Sequence, residues 1–70
     1  MKPVSGKRFC KILEKHGWAL KRTTKSSHFI YTKPGNPATI SVPVHANQDL
    51  KKGLQADLIK QAGLTEDDLK

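Results

Sequence analysis

The spacing of apolar residues changes twice along this chain, and that change constrains the fold more than any other feature. Near the N-terminus the spacing i, i+3, i+4 and i+7 places four residues on one face of a helix: Phe9, Ile12, Leu13 and His16. Ser5 stands before this face as a good N-cap residue, and Gly17 follows it as a typical helix-ending residue. We therefore predict an amphipathic helix between Ser5 and Gly17.

The next segment, residues 18–22, alternates with a period of two, which is typical of a strand. The alternation predicts that one side of this strand carries Trp18, Leu20 and Arg22, and that the other side carries Ala19 and Lys21.

Two further strands are predicted, His28–Thr32 and Thr39–Val42, with Pro43 ending the second. The polar residues 23–27 and the Gly- and Pro-containing residues 33–37 suit short turns, so the three strands should be antiparallel. The pattern leaves open which face of the middle strand is covered. His28, Ile30 and Thr32 share one face, and Phe29 and Tyr31 share the other.

A second helix is indicated by helical spacing of Leu54, Leu58, Ile59 and Ala62. Gly63 should end it, with Leu64 placed for the apolar contact of a Schellman motif, and residues 65–69 should add one capped turn. A chain of 70 residues can build one core. We predict a single α+β domain over residues 1–70 in the order α-β-β-β-α, with a three-stranded antiparallel sheet covered on one face by two helices.

The charge of the chain is strongly and unevenly positive. It has 13 Lys and Arg against 6 Asp and Glu, a formal charge of +7. Three of the acids, Glu66, Asp67 and Asp68, lie in the last five residues, so residues 1–65 hold 12 basic against 3 acidic side chains, a formal charge of +9. Such a field favours a polyanionic partner. The alternative interpretation of the positive charge is that the lysines only keep the protein surface soluble.

Several classes of protein are disfavoured. A single Cys10 cannot form an internal disulfide, and the N-terminus has no signal or membrane-spanning pattern, so we expect a cytoplasmic protein without a membrane partner. Cys10 has no base near it in sequence and suits a small helix residue rather than a nucleophile. Scattered acids and histidines at 16, 28 and 45 match no metal pattern, so neither a metal nor a cofactor is predicted.

One segment could carry chemistry on RNA. RNA brings its own nucleophile, the 2′-hydroxyl, so a protein can cleave it by moving protons and stabilising a charged phosphate. Residues 21–28 gather three cations, four hydroxyls and an imidazole: Lys21, Arg22, Lys25, Thr23, Thr24, Ser26, Ser27 and His28. On the residues alone, His28 is either a catalytic residue or a structural, exposed one.

The other two histidines have different surroundings. His16 falls in the last turn of the first helix, where a cationic side chain is favourably placed. His45 lies in the loop before the second helix, near Lys51 and Lys52, which could also meet a phosphate.

The chain resembles the HicA family of toxin ribonucleases over nearly its whole length. The matching segments are, in order, Ser26–Ile30, Ile40–His45, Asp49–Leu54 and Ile59–Leu64. The resemblance implies a fold similar to double-stranded-RNA-binding domains, cleavage of messenger RNA and neutralisation by a HicB-type antitoxin encoded beside the toxin. In that family the strand opens with Gly-Ser-His, and its catalytic histidine corresponds to His28.

Ser26 departs from the family pattern, because glycine is usual there. A side chain at this position would restrict the turn's backbone or crowd an approaching phosphate, and so reduce activity without changing the fold. The likeness to double-stranded-RNA-binding domains also implies that Lys51 and Lys52 track the RNA backbone.

Our leading hypothesis is a type II toxin acting as a metal-independent endoribonuclease, with an antitoxin that covers the active site in a hetero-oligomer. His28 is the predicted catalytic residue, and the predicted RNA-binding residues are Lys21, Arg22, Lys25, Ser27, His45, Lys51 and Lys52. A non-catalytic RNA-binding module of the same fold is the rival hypothesis. A DNA-binding regulator is weaker, since the predicted helices flank a sheet and form no helix-turn-helix pair.

Overall fold

The structure, a computed structural model, describes residues 2–46 and 48–69. Its elements are α1 (Gly6–Lys15), β1 (Ala19–Thr23), β2 (His28–Lys33), β3 (Asn36–Pro43), α2 (Lys52–Ala62) and a short 3₁₀ helix (Glu66–Leu69). The predicted α+β fold and its order α-β-β-β-α are confirmed. None of the helices in the described residues is long and apolar enough to cross a membrane.

The first helix begins and ends where its capping residues predict. The Ser5 side chain accepts a hydrogen bond of 3.1 Å from the backbone N–H of Arg8, which satisfies one of the free donors of the first turn. After Lys15 the chain passes through His16 to Gly17, whose φ of +91° reverses its direction. Phe9, Leu13 and their neighbours on that face are buried.

The second helix ends in the predicted Schellman motif. Gly63 adopts the left-handed conformation, and the N–H of Leu64 donates to the carbonyl of Ile59. Beyond it, the N–H of Thr65 donates to Asp68 Oδ2 at 2.8 Å and caps the single 3₁₀ turn. The C-terminal ends of α1 and α2 depend on residues within one turn of them. Those residues were therefore sufficient to predict both ends from the sequence.

The sheet of the described residues has three antiparallel strands in the order β1-β2-β3. Phe29 pairs with Val42 and Tyr31 pairs with Ile40, so these four side chains share one face. This face packs on the helices, which settles the question that the alternation of β2 left open. The core beneath it contains, from α1 and α2, Phe9, Leu13, Leu58 and Ile59.

The predicted alternation of the first strand is wrong. Leu20 pairs with Tyr31 whereas Arg22 pairs with Ile30, with an irregularity between them. Since Tyr31 and Ile30 are consecutive and point to opposite faces, Leu20 and Arg22 do as well. Trp18, which was predicted to share a side with both, lies before β1 and is 2% exposed, whereas Leu20 is 46% exposed.

A buried amide fixes the N-terminal segment against the second helix. Gln55, only 1% exposed, accepts a hydrogen bond from the N–H of Val4 and donates one to the carbonyl of Lys2. The N–H of Leu50 in turn donates to the carbonyl of Val4. The start of α1 and the loop before α2 are therefore held side by side, at the end of the sheet where β2 begins.

Candidate functional site

The backbone of His28 is held by the turn that precedes it. The N–H of His28 donates to Thr24 Oγ1 at 3.2 Å, and the His28 carbonyl accepts from the N–H of Thr24 at 2.9 Å. The N–H of Ser27 donates to the Thr24 carbonyl at 3.1 Å, which closes the turn. These bonds place the half-buried imidazole of His28 at a defined point at the start of β2.

Ser27 links this turn to the end of β3 through its backbone. Its carbonyl accepts a 2.9 Å hydrogen bond from the N–H of Val44, which continues the pairing of His28 with Pro43 by one step. Ser27 has a φ of +64°, whereas Ser26 is not among the described residues with positive φ. Ser26 therefore does not adopt the left-handed conformation for which glycine would be needed.

The two histidines of this region face each other. The ring centroids of His28 and His45 lie 6.5 Å apart, with the ring planes at 79°. His45 is exposed and follows Pro43 by two residues, so the pairing of His28 with Pro43 brings it to the same end of the sheet. The structure thus joins the predicted catalytic residue to one of the predicted RNA-binding residues.

Close packing at Gly6 fixes the loop that carries His45. A Cβ built on Gly6 would collide with the carbonyl oxygen of Pro43 and would lie 3.2 Å from the Cα of Val44. The first turn of α1 therefore abuts the end of β3 at a distance that only glycine allows. This role of Gly6 could not be predicted from the sequence, because nothing local to Gly6 indicates which backbone it will meet.

The cations of the 21–28 segment occupy different positions relative to His28. Arg22 pairs with Ile30, which shares a face with His28, so Arg22 is its diagonal cross-strand neighbour. Lys25 is exposed within the turn, and Lys21 is exposed at the irregularity of β1. The register therefore puts Arg22 on the face of the sheet that carries His28, opposite the helices.

The two predicted RNA-binding lysines lie at the start of the second helix. Lys51 is the N-cap residue of α2, without a capping bond from its side chain, and Lys52 opens the helix. Both are exposed. In residues 2–46 and 48–69 no hydrogen bond or ion pair joins either lysine to His28 or His45.

The remaining histidine and the cysteine lie elsewhere. His16 caps the C-terminal end of α1, with Nε2 3.8 Å from Asp68 Oδ1, in agreement with the predicted position at a helix end. Cys10 is buried in the core, and burial raises the pKa of its thiol. It is a small helix residue, as predicted. The described part of the chain has no cluster of three His, Cys, Asp or Glu side chains that could hold a metal ion.

Comparison with known proteins places the chain in a family. A sequence search against curated individual proteins found no significant match. The model of a protein family described as the HicA toxin of bacterial toxin–antitoxin systems matches residues 6–64, from the first residue of α1 to the residue that completes the Schellman motif of α2. This match includes His28, His45 and every element that positions them. The chain therefore belongs to the HicA toxin family.

Proposed function

We propose that this chain is the toxin of a type II toxin–antitoxin system and acts as a metal-independent endoribonuclease on messenger RNA, with His28 as the catalytic residue. The observation that carries the proposal is the position of His28. Its backbone is fixed by Thr24, and its ring lies 6.5 Å from that of His45 at an edge of the fold. Membership of a toxin family makes a harmful chemical step on a nucleic acid the natural use of such a site.

The proposed chemistry uses the nucleophile of the substrate. A 2′-hydroxyl attacks the adjacent phosphorus, and the products are a 2′,3′-cyclic phosphate and a 5′-hydroxyl. His28 transfers a proton as general base or acid. Arg22 and Lys25 stabilise the charge that develops on the phosphorane. The other contacts to the RNA backbone come from Lys21, Ser27, His45, Lys51 and Lys52.

The fold supports RNA as the substrate. An α-β-β-β-α domain with two helices on one face of the sheet is the arrangement expected of double-stranded-RNA-binding domains, which read shape and backbone through basic residues. Lys51 and Lys52 open α2, where they would lie against phosphates. A formal charge of +7 gives the chain a field that attracts RNA.

The same surface defines the proposed protein partner. A toxin must be held inactive in the cell that makes it, and we infer that a HicB-type antitoxin does so by covering His28 and the cations beside it. An acidic antitoxin surface would neutralise Arg22 and Lys25 while it blocks the imidazole. The product would be a hetero-oligomer.

The decisive experiment incubates the purified protein with labelled messenger RNA, with and without chelator. We expect cleavage in both samples, with cyclic phosphate ends, and we expect RNA with a 2′-deoxy sugar at the scissile position to resist. His28→Ala should be slower by about 10²-fold to 10⁴-fold, the usual worth of one general acid or base, at nearly unchanged RNA affinity. His16→Gln is the matched control, because it removes the imidazole at the other end of α1.

Each failure has its own meaning. Salt-sensitive binding without turnover at any enzyme concentration would identify a non-catalytic RNA-binding module. Cleavage of the deoxy substrate would contradict attack by the 2′-hydroxyl. Full activity of His28→Ala would remove His28 from the site.

A further inference from the structure

His28 and His45 are close enough to act on one phosphate group. A direct hydrogen bond between two imidazole nitrogens, about 2.9 Å long, would bring the ring centroids to about 5 Å. The observed 6.5 Å therefore leaves a gap between the rings. Because an imidazole nitrogen reaches an oxygen over about 2.6–3.2 Å, the two rings can each contact a different oxygen of the same phosphodiester.

We propose that His45 is a second catalytic residue, the general acid that complements His28 as general base. This inference rests on the proposed ribonuclease function and deepens it. In an in-line displacement the attacking 2′-oxygen and the leaving 5′-oxygen lie on opposite sides of the phosphorus. A single imidazole cannot contact both oxygens at once, so a concerted displacement needs a second group to donate the proton that the leaving oxygen takes up.

The neighbouring side chains offer no equal alternative. Around the pair, the charged groups on the described elements are Arg22 on β1, Lys25 in the turn, Lys7 and Arg8 on the first turn of α1, Asp49 before α2, and Lys51 and Lys52 at its start. Carboxylates are ionised and the Lys and Arg cations hold their protons near neutral pH, whereas an imidazole exchanges its proton there. His28 and His45 are thus the two groups in this region suited to opposite proton transfers.

The surroundings of the two rings assign the roles. His28 is half-buried and its backbone is held by Thr24, which suits a base that must meet one ribose hydroxyl accurately. His45 is exposed on the loop after β3, where the departing fragment, which carries the new 5′-hydroxyl, can leave into solvent. In the proposed step His28 takes the 2′-hydroxyl proton as the 2′-oxygen bonds to phosphorus. The bond to the 5′-oxygen breaks as His45 protonates that oxygen. Exchange with water then restores both rings.

The test compares His45→Ala on two substrates that differ in the leaving atom. One is ordinary RNA, and the other carries sulfur in place of the 5′-bridging oxygen, since a thiolate leaves without protonation. On ordinary RNA we expect kcat to fall by about 10²-fold to 10⁴-fold, with little change in affinity for the uncleavable 2′-deoxy analogue. On the sulfur substrate His45→Ala should recover nearly the wild-type rate, whereas His28→Ala should stay slow.

His16→Gln should match the wild type on both substrates. A thermal melt of each variant verifies folding, and His45→Gln replaces His45→Ala if the alanine variant melts early. Unchanged kcat with weakened binding of the analogue would make His45 a phosphate contact and overturn the proposal. So would a loss of kcat that sulfur does not rescue, or rescue of His28→Ala instead. Wild-type protein that cleaves neither substrate would defeat the proposed function itself, a result distinct from all of these.

Discussion

The two ends of α1 present histidines in contrasting surroundings. At its C-terminal end His16 caps the helix, and its Nε2 lies 3.8 Å from a carboxylate oxygen of Asp68. At its N-terminal end Gly6 abuts Pro43, next to the facing rings of His28 and His45. Among the described residues, the imidazole at one end thus has an acidic partner, whereas each imidazole at the other end has the second imidazole as its neighbour.

The contrast extends to the other polar side chains. Towards the C-terminal end Tyr31 donates a 2.8 Å hydrogen bond to Glu14, and the ammonium of Lys33 lies 5.8 Å from the centre of the Trp18 ring. At the N-terminal end the backbone N–H groups of Thr24, Ser27 and His28 are hydrogen-bonded, yet among residues 2–46 and 48–69 no ion pair involves His28. The C-terminal end of α1 therefore pairs charged and polar side chains within the protein, although the buried Trp18 Nε1 has no hydrogen-bond partner among the described residues. These pairs should contribute stability.

Gly6→Ala should produce the largest effect on both properties. The new methyl group would meet the carbonyl of Pro43, so α1 or the end of β3 must move. Overpacking of this kind typically costs about 1–3 kcal/mol, and here the obstacle is backbone, so we expect the upper part of that range in urea unfolding. Because the same loop carries His45, kcat should fall as well.

The matched control is Gly53→Ala in α2. No atom lies within 4 Å of a Cβ built there, so the variant should be as stable as the wild type or slightly more so. Its kcat should not change. Equal stability of Gly6→Ala and the wild type would mean that the close approach of α1 to β3 does not constrain the site.

Tyr31→Phe should affect stability alone, and in a pH-dependent way. Burial, and then the bond to Glu14, raises the pKa of the Tyr31 phenol above its usual 10.0. The folded state therefore favours the neutral phenol, and this contribution is complete below about pH 10 and is lost as the pH rises above it. Loss of the hydrogen bond should cost about 1 kcal/mol at neutral pH.

The measurement is Tm for both proteins from about pH 8 to about pH 11. The wild type should lose its advantage at the alkaline end, because the variant has no phenol to ionise. Both proteins carry Cys10→Ala in this comparison, because burial also raises the pKa of the Cys10 thiol and this thiol interacts with the Tyr31 phenol. A parallel loss of kcat in Tyr31→Phe would show that the two ends of α1 are not independent.

Local features of this fold were predictable from the sequence, since caps and turns depend on adjacent residues. Ser5, Gly17 and Gly63 marked the helix ends correctly because each acts within one turn of its own position. The irregularity of β1 was not predictable, since it depends on pairing with β2, and the predicted common side for Leu20 and Arg22 failed for that reason.

Contacts between segments that are distant in the sequence could not be predicted either, because they also depend on how separate elements pair and pack. Gln55 had a signal, because it continues the helical spacing of Leu58, Ile59 and Ala62 and so occupies the buried side of α2. Its role in holding Val4 could not follow from that spacing. His28 and His45 were each named from sequence, but their approach depends on the register of β2 with β3 and on the loop beyond it.

Asp68→Asn should have the smallest effect and probes the end of α1 away from the site. Hydrogen bonding from the backbone N–H of Thr65, then its hydroxyl and the charge of His16, lowers the pKa of Asp68 below its usual 3.8. The ionised form therefore stabilises the fold above about pH 3.8, and this contribution is lost as the pH falls through the lowered pKa. We expect a slightly lower Tm for Asp68→Asn at neutral pH, a difference that disappears in acid, and unchanged kcat.

Asp57→Asn, which removes an exposed acid from α2, controls for the change in net charge. A change in kcat with Asp68→Asn alone would mean that His16 and its partner influence the end of α1 that carries the proposed site, and that the separation of stability from function along α1 does not hold.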